Sequence, residues 1–159
     1  MTTEALARRV LTLLEQKGFT LATAESCTGG WIGKELTAIP GSSAHYLGGV
    51  ISYTNGVKER LLGVPAETLA QFGAVSQPTA AAMAEGARCA LCADVAVSAT
   101  GLAGPGGDGS GQPVGRVYLG CSGPMCTVVW QCDFCGDREE VRQQAVRQAL
   151  HLLVEYLNR

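Results

Sequence analysis

The stretch Phe19-Thr-Leu-Ala-Thr-Ala-Glu-Ser-Cys-Thr-Gly-Gly30, running on into Trp31-Ile-Gly-Lys-Glu-Leu-Thr-Ala38, decides the fold. Phe19 to Ala24 alternates in the manner of a strand. Glu25 to Gly30 then sets hydroxyls and paired glycines where a strand turns into a helix, and Trp31 to Ala38 is expected to be that helix. Upstream, Leu6, Val10, Leu13 and Leu14 fall on one helical face, and Gly18 ends that helix. Downstream, Tyr46 to Tyr53 predicts a second strand, interrupted at Gly48-Gly49 by a bulge.

Further along, Asn55 is expected to cap a short helix from Gly56 to Leu62, stopped by Gly63. Pro65 to Phe72 predicts another, and Ser76 caps a longer one reaching about Cys92, with Pro78 tolerated in its first turn. Asp94 to Ala99 predicts a buried strand, Thr100 to Pro113 a loop, and Val114 to Cys121 and Cys126 to Phe134 two more strands. The last helix spans Asp137 to Asn158. Intermingled helices and strands predict an α/β fold, a three-layer α/β/α sandwich around a mixed β-sheet. The chain has 159 residues, the length of a single domain (1–159) with a core that needs no metal or disulfide.

Twelve basic residues against fourteen acidic ones leave a net charge of −2, so nothing attracts nucleic acid or a membrane surface globally. Any phosphate must be held locally. No run of 18 apolar residues occurs, and the N-terminus lacks the apolar stretch of a signal peptide. Seven cysteines cannot all pair, so they are expected to be thiols in a reducing cytoplasm.

Chemistry is expected first at Ser26, Cys27 and Thr28. A hydroxyl at a strand-to-helix turn lies at the sheet edge where α/β folds bind ligands. The amides of Cys27, Thr28 and Gly29 would open the following helix and suit an oxyanion, with Gly29 and Gly30 admitting close approach. The alternative is that Ser26 or Thr28 merely caps the helix. Cys27 at a helix N-terminus would have a lowered pKa and rival Ser26 as nucleophile; Thr28 is stiffer. His45 and His151 are the only histidines, and nothing places either near Ser26. A serine base must then be sought elsewhere. Of the three lysines, Lys17 ends a helix and Lys34 lies within one, whereas Lys58 sits in the first turn of a short helix. There the dipole and burial would favour the neutral amine. A solvated Lys58 beside Glu59 and Arg60 is the alternative.

Gly101-Leu-Ala-Gly-Pro-Gly-Gly-Asp-Gly-Ser-Gly111 contains a literal G-x-G-x-x-G, but a strand follows where a dinucleotide fingerprint needs a helix. As a loop it can offer amides to an anion or serve as a flexible connection. Arg138 and Arg142 lie one turn apart and could grip a phosphate, or line a solvated helix face. Cys89-Ala-Leu-Cys92 and Cys132-Asp-Phe-Cys135 are 40 positions apart, against about 15–20 in zinc knuckles, so they are read as buried small hydrophobes with no metal site.

Taken together, these motifs resemble a known family, the stand-alone nicotinamide-nucleotide amidohydrolases, similar to the C-terminal domain of the competence- and damage-inducible protein CinA. The resemblance runs from about Leu6 to Leu157. Ala24-Glu-Ser-Cys-Thr-Gly-Gly30, Gly49-Val-Ile-Ser-Tyr-Thr-Asn55, Lys58, Leu62-Gly-Val64 and Gly73-Ala-Val-Ser76 carry it, with Gly101-Leu-Ala-Gly-Pro105, Pro113-Val-Gly115 and Gly136-Asp-Arg138. It implies cofactor-free hydrolysis of the carboxamide of nicotinamide mononucleotide by a serine–lysine pair, Ser26 and Lys58, with Tyr53 in support. It also implies substrate contacts at Cys27, Thr28, Gly29, Gly30, Asn55, Gly101, Ala103 and Gly104, a phosphate partner in Arg138, and a homodimer. The C-x-x-C pairs depart from the family pattern.

Overall fold

A computed structural model describes residues 1–159. Helix α1 (Thr3–Lys17) is capped by the Thr2 hydroxyl and closed by Gly18 in the left-handed region. Strand β1 (Leu21–Glu25) leads through the Ser26–Gly30 turn to α2 (Trp31–Thr37), and a 3-10 turn (Ser42–Ala44) precedes β2 (Tyr46–Ile51). Then come α3 (Asn55–Leu62), α4 (Ala66–Phe72), α5 (Gln77–Ala90), β3 (Val95–Gly101), β4 (Arg116–Ser122), β5 (Thr127–Asp133) and α6 (Arg138–Leu157).

The strand order is β2-β1-β3-β4-β5, with β1 parallel to both β2 and β3 and antiparallel pairing from β3 through β4 to β5. The sheet is therefore mixed. Period-2 alternation gives it two apolar faces. Leu21, Val95, Val97, Val117 and Leu119 join the larger core under α1, α2 and α6. Ala22, Ala24 and Ala96 join the smaller one with Leu62, Leu69, Met83 and Ala87 of α3 to α5. The result is the expected three-layer α/β/α arrangement.

Element boundaries differ from the sequence reading by a residue or two. The β1/β2 register slips one residue before the expected place: Leu47 is skipped between the Leu21–Tyr46 and Ala22–Gly48 pairs, and Gly48 (φ +142°) and Gly49 themselves pair with Ala22 and Thr23. Asn55 does not cap α3. The cap is Thr54, in extended backbone, whose carbonyl accepts the Lys58 N–H at 3.1 Å. Helix α5 ends at Ala90, short of Cys92. The C-x-x-C cysteines are not buried: Cys89 and Cys92 are exposed because α5 turns Met83, Ala84 and Ala87 inward instead, and on and after the edge strand β5 Cys132 is half-buried and Cys135 exposed. No three His, Cys, Asp or Glu side chains converge as metal ligands. No helix is long and apolar enough to cross a membrane.

Candidate active site

The parallel strands β2, β1 and β3 end on one edge, and the chain leaving each supplies one wall of a cavity of about 300 Å³. After β1 comes Ser26, after β2 come Tyr53 and Lys58, and β3 runs into the glycine-rich loop. This is where parallel α/β sheets place ligands. Ser26 is held by its own N–H, which donates to the Ala99 carbonyl of β3 at 2.9 Å.

Lys58 is 1% exposed despite its long polar side chain. Its Nζ lies 3.0 Å from Ser26 Oγ and donates to the Ser52 carbonyl at 2.7 Å. Burial pushes its pKa below the ordinary lysine value, because water no longer solvates the charged form. No carboxyl group forms an ion pair with it, so no such pairing restores the charge. The other lysines and histidines lie elsewhere. Lys34 is exposed beside Glu35, His151 is exposed beside Glu155, and His45 bonds the Phe19 carbonyl at the opposite end of β1.

The turn after Ser26 differs from the expected helix start. The Gly29 N–H is not free: it donates to the Ser26 carbonyl at 3.1 Å. Helix α2 opens at Trp31, with Gly30 as N-cap at φ +100°. The Cys27 and Thr28 N–H groups donate to nothing within the chain. Thr28, Gly29 and Gly30 are not in the lining of the Ser26 cavity; they border a separate, open surface hollow with Trp31, Lys34 and Arg142. The Thr28 side chain is fully buried and its hydroxyl donates to Glu25 Oε1 at 2.7 Å, so it is tied up as a strut. Cys27 lines the cavity, but burial pushes its thiol up to about 12, overriding any help from the turn or from Arg142. The expected lowered pKa is therefore corrected.

Across the cavity, Gly101, Ala103, Gly104, Gly106 and Asp108 form the loop wall. The Ala103, Gly104 and Gly106 amides have no partner in the chain. Arg138 also lines the cavity; its Nη1 donates to the Gly104 carbonyl at 2.7 Å and its Nη2 to Tyr53 Oη at 3.1 Å. Arg142 does not face this space and instead bonds the Cys27 and Thr28 carbonyls. Asn55 is exposed and outside the lining.

Four contributors escaped the sequence reading. Glu25, 1% exposed, accepts the Thr28 hydroxyl and the Ile32 and Gly33 amides at 2.7, 2.8 and 3.1 Å. An acidic residue just before a helix start was the available signal. Ser52 contributes only a backbone carbonyl, for which side-chain chemistry carries no signal. The Thr100 hydroxyl and Gln112 side chain bond the Ala74 and Val75 carbonyls at 2.7 Å each, joining the far wall to the glycine-rich loop.

With this geometry in place, comparisons with known proteins identify the family. Residues 3–157 match the profile of the CinA C-terminal domain, and the chain belongs to that family. It is 57% identical over 123 residues (77% of this chain, 29% of the relative) to a CinA-like protein of Parasynechococcus marenigrum. It is 47% identical over 154 residues (97% and 37%) to a putative competence-damage inducible protein of Desulforamulus reducens. The chain thus spans about a third of the length of these curated relatives. Among solved structures, a CinA superfamily protein from Klebsiella pneumoniae 700603 superposes with TM-score 0.96 at 37% identity, covering 99% of both chains. The competence/damage inducible protein CihA from Agrobacterium tumefaciens gives 0.93 at 44%, covering 99% of this chain and 96% of that one.

Proposed function

We propose that this chain hydrolyses the carboxamide of nicotinamide mononucleotide to nicotinate mononucleotide and ammonia through Ser26 and Lys58. The observation that carries the reading is the 3.0 Å approach of a buried, pKa-depressed amine to a single hydroxyl at the sheet edge. A neutral Nζ that donates to the Ser52 carbonyl keeps a lone pair for the Ser26 proton. Ser26 Oγ attacks the carboxamide carbon as Lys58 takes that proton, and the Cys27 and Thr28 amides receive the oxyanion, each well-placed donor worth about 3–4 kcal/mol. Protonated Lys58 then passes its proton to the departing nitrogen, releasing ammonia. Water, deprotonated by the same amine, cleaves the nicotinoyl-serine ester.

The substrate's cationic pyridinium ring makes the carbonyl more electrophilic, and its phosphate offers a remote anchor. Arg138, the one guanidinium in the lining, and the unpaired Ala103 and Gly104 amides are the partners we assign to that phosphate. Tyr53 holds Arg138 from the other side. A Cys27 thiolate mechanism is disfavoured by the raised thiol pKa. Homodimerisation belongs to the same proposal, and analytical ultracentrifugation reads it directly.

The test is ammonia release from nicotinamide mononucleotide, with titration calorimetry in parallel. Wild type should turn over, and Ser26→Ala and Lys58→Ala should bind without turnover. Activity in Ser26→Ala contradicts the mechanism, and tight wild-type binding without ammonia marks a binding module instead.

A further inference from the structure

The two arginines that open α6 act on opposite walls of the cavity. Arg138 holds the glycine-rich loop through the Gly104 carbonyl. Arg142 holds the nucleophile turn: its Nε donates to the Cys27 carbonyl at 3.0 Å and its Nη2 to the Thr28 carbonyl at 3.3 Å. Its Nη1 meets Glu139 Oε2 at 3.3 Å, and the guanidinium lies 5.5 Å over the Trp31 ring. Each of the three guanidinium nitrogens thus spends one N–H on the protein. These contacts join residues 114 and 115 positions apart. They are the side-chain link between α6 and the turn that carries Ser26.

The peptide plane between Cys27 and Thr28 is what this link controls. A trans peptide points its N–H opposite its carbonyl. Anchoring the Cys27 carbonyl on Arg142 therefore turns the Thr28 N–H away from α6, and that N–H has no other partner in the chain. Glu25 secures the same turn from within through the Thr28 hydroxyl. Resting on the Ser26–Lys58 reading, we propose that Arg142 is a positioning residue for acylation of Ser26. By fixing this plane it presets the amide that receives the developing oxyanion, and it touches neither Lys58 nor the substrate.

The test reads Ser26 directly with a fluorophosphonate probe. Ser26 Oγ forms a bond to phosphorus, the P–F bond breaks with loss of fluoride, and the serine proton passes to Lys58, with the phosphoryl oxygen standing in for the oxyanion. Labelling at Ser26, followed by mass spectrometry, is compared in wild type, Arg142→Ala and Arg142→Lys. Arg142→Ala should label about a hundredfold more slowly, the scale of one lost oxyanion donor. The pH midpoint of labelling should stay unchanged, because Lys58 is undisturbed. Arg142→Lys should recover part of the rate, since an ammonium can reach one carbonyl. In ammonia release, kcat should fall with KM nearly constant, the mark of an interaction made in the transition state.

Wild-type labelling rates in Arg142→Ala overturn the proposal, as does a slowing accompanied by a shifted pH midpoint. If Arg142→Ala does not fold, Arg142→Met, which keeps an unbranched apolar stem and donates to neither carbonyl, takes its place with the same expected slowing. Wild type that labels at Ser26 yet releases no ammonia refutes the substrate assignment alone, and the labelling comparison still decides Arg142. Wild type that does not label at Ser26 overturns both.

Discussion

Replacing Glu25 should cost more stability than any other single polar change near the site. Its carboxyl group receives three donors from the turn and from α2, a helix of seven residues whose Gly30 cap provides no side chain. In Glu25→Ala the Thr28 hydroxyl can rotate to another acceptor, but the Ile32 and Gly33 amides cannot. Two stranded donors at about 1–3 kcal/mol each give a loss of about 2–6 kcal/mol. In a domain of this size, each kcal/mol moves Tm by about 2–4 °C, so even the lower half of that range lowers Tm by about 4–16 °C. Glu25→Gln supplies a finer comparison. Oε1 alone serves Thr28 and Ile32, so glutamine strands only the Gly33 amide and should lose about half as much. Thermal unfolding followed by far-UV circular dichroism at neutral pH reads all three proteins. A Glu25→Ala Tm within about 1 °C of wild type, or a glutamine variant less stable than the alanine one, refutes the reasoning.

Other consequences follow from the same contacts. Burial lowers the native Lys58 pKa below its unfolded value, so between the two the unfolded chain binds the extra proton and native stability rises with pH. The stability of wild type relative to Lys58→Met should therefore improve as pH climbs towards 10.5, by about 1.4 kcal/mol per unit of depression; a pH-independent difference in urea titrations contradicts this. With a thiol reagent on the native protein, Cys89, Cys92, Cys126 and Cys135 should react fast, Cys132 slowly, and Cys27 and Cys121 only on unfolding. Rapid modification of Cys27 would show that its burial is wrong. Gly86→Ala should not fold stably, since its Cβ would overlap the Leu62 carbonyl where α5 crosses α3, and a wild-type Tm would refute that.

The fold was legible where local rules and burial agree. Gly18, Ser76 and Asp137 stop or start helices as their chemistry dictates, and each does so in the structure. The strand at β3, expected to be buried, is buried on both faces: Val95, Val97 and Ala99 join the larger core and Ala96 the smaller. The cysteines misled, because burial of a small apolar side chain depends on which helix face packs, and alanines took that face in α5. Cys27 misled differently: the helix-terminus argument lowers a thiol pKa only where solvent remains, and here burial dominates. Lys58 stood out by its place in a short helix, but its approach to Ser26 crosses 32 positions of sequence. Glu25 and Arg142 act through backbone amides and carbonyls, and no residue pattern records which peptide plane a distant side chain will hold.

The central claim is that Lys58, uncharged, activates Ser26. The pH dependence of Ser26 phosphonylation in wild type and Lys58→Met tests it most directly. The predicted result is a wild-type rate that climbs to a plateau through a midpoint below 10.5 and a Lys58→Met rate that is slow and lacks that midpoint. Equal rates in the two proteins, or a wild-type midpoint at or above the ordinary lysine value, would contradict it.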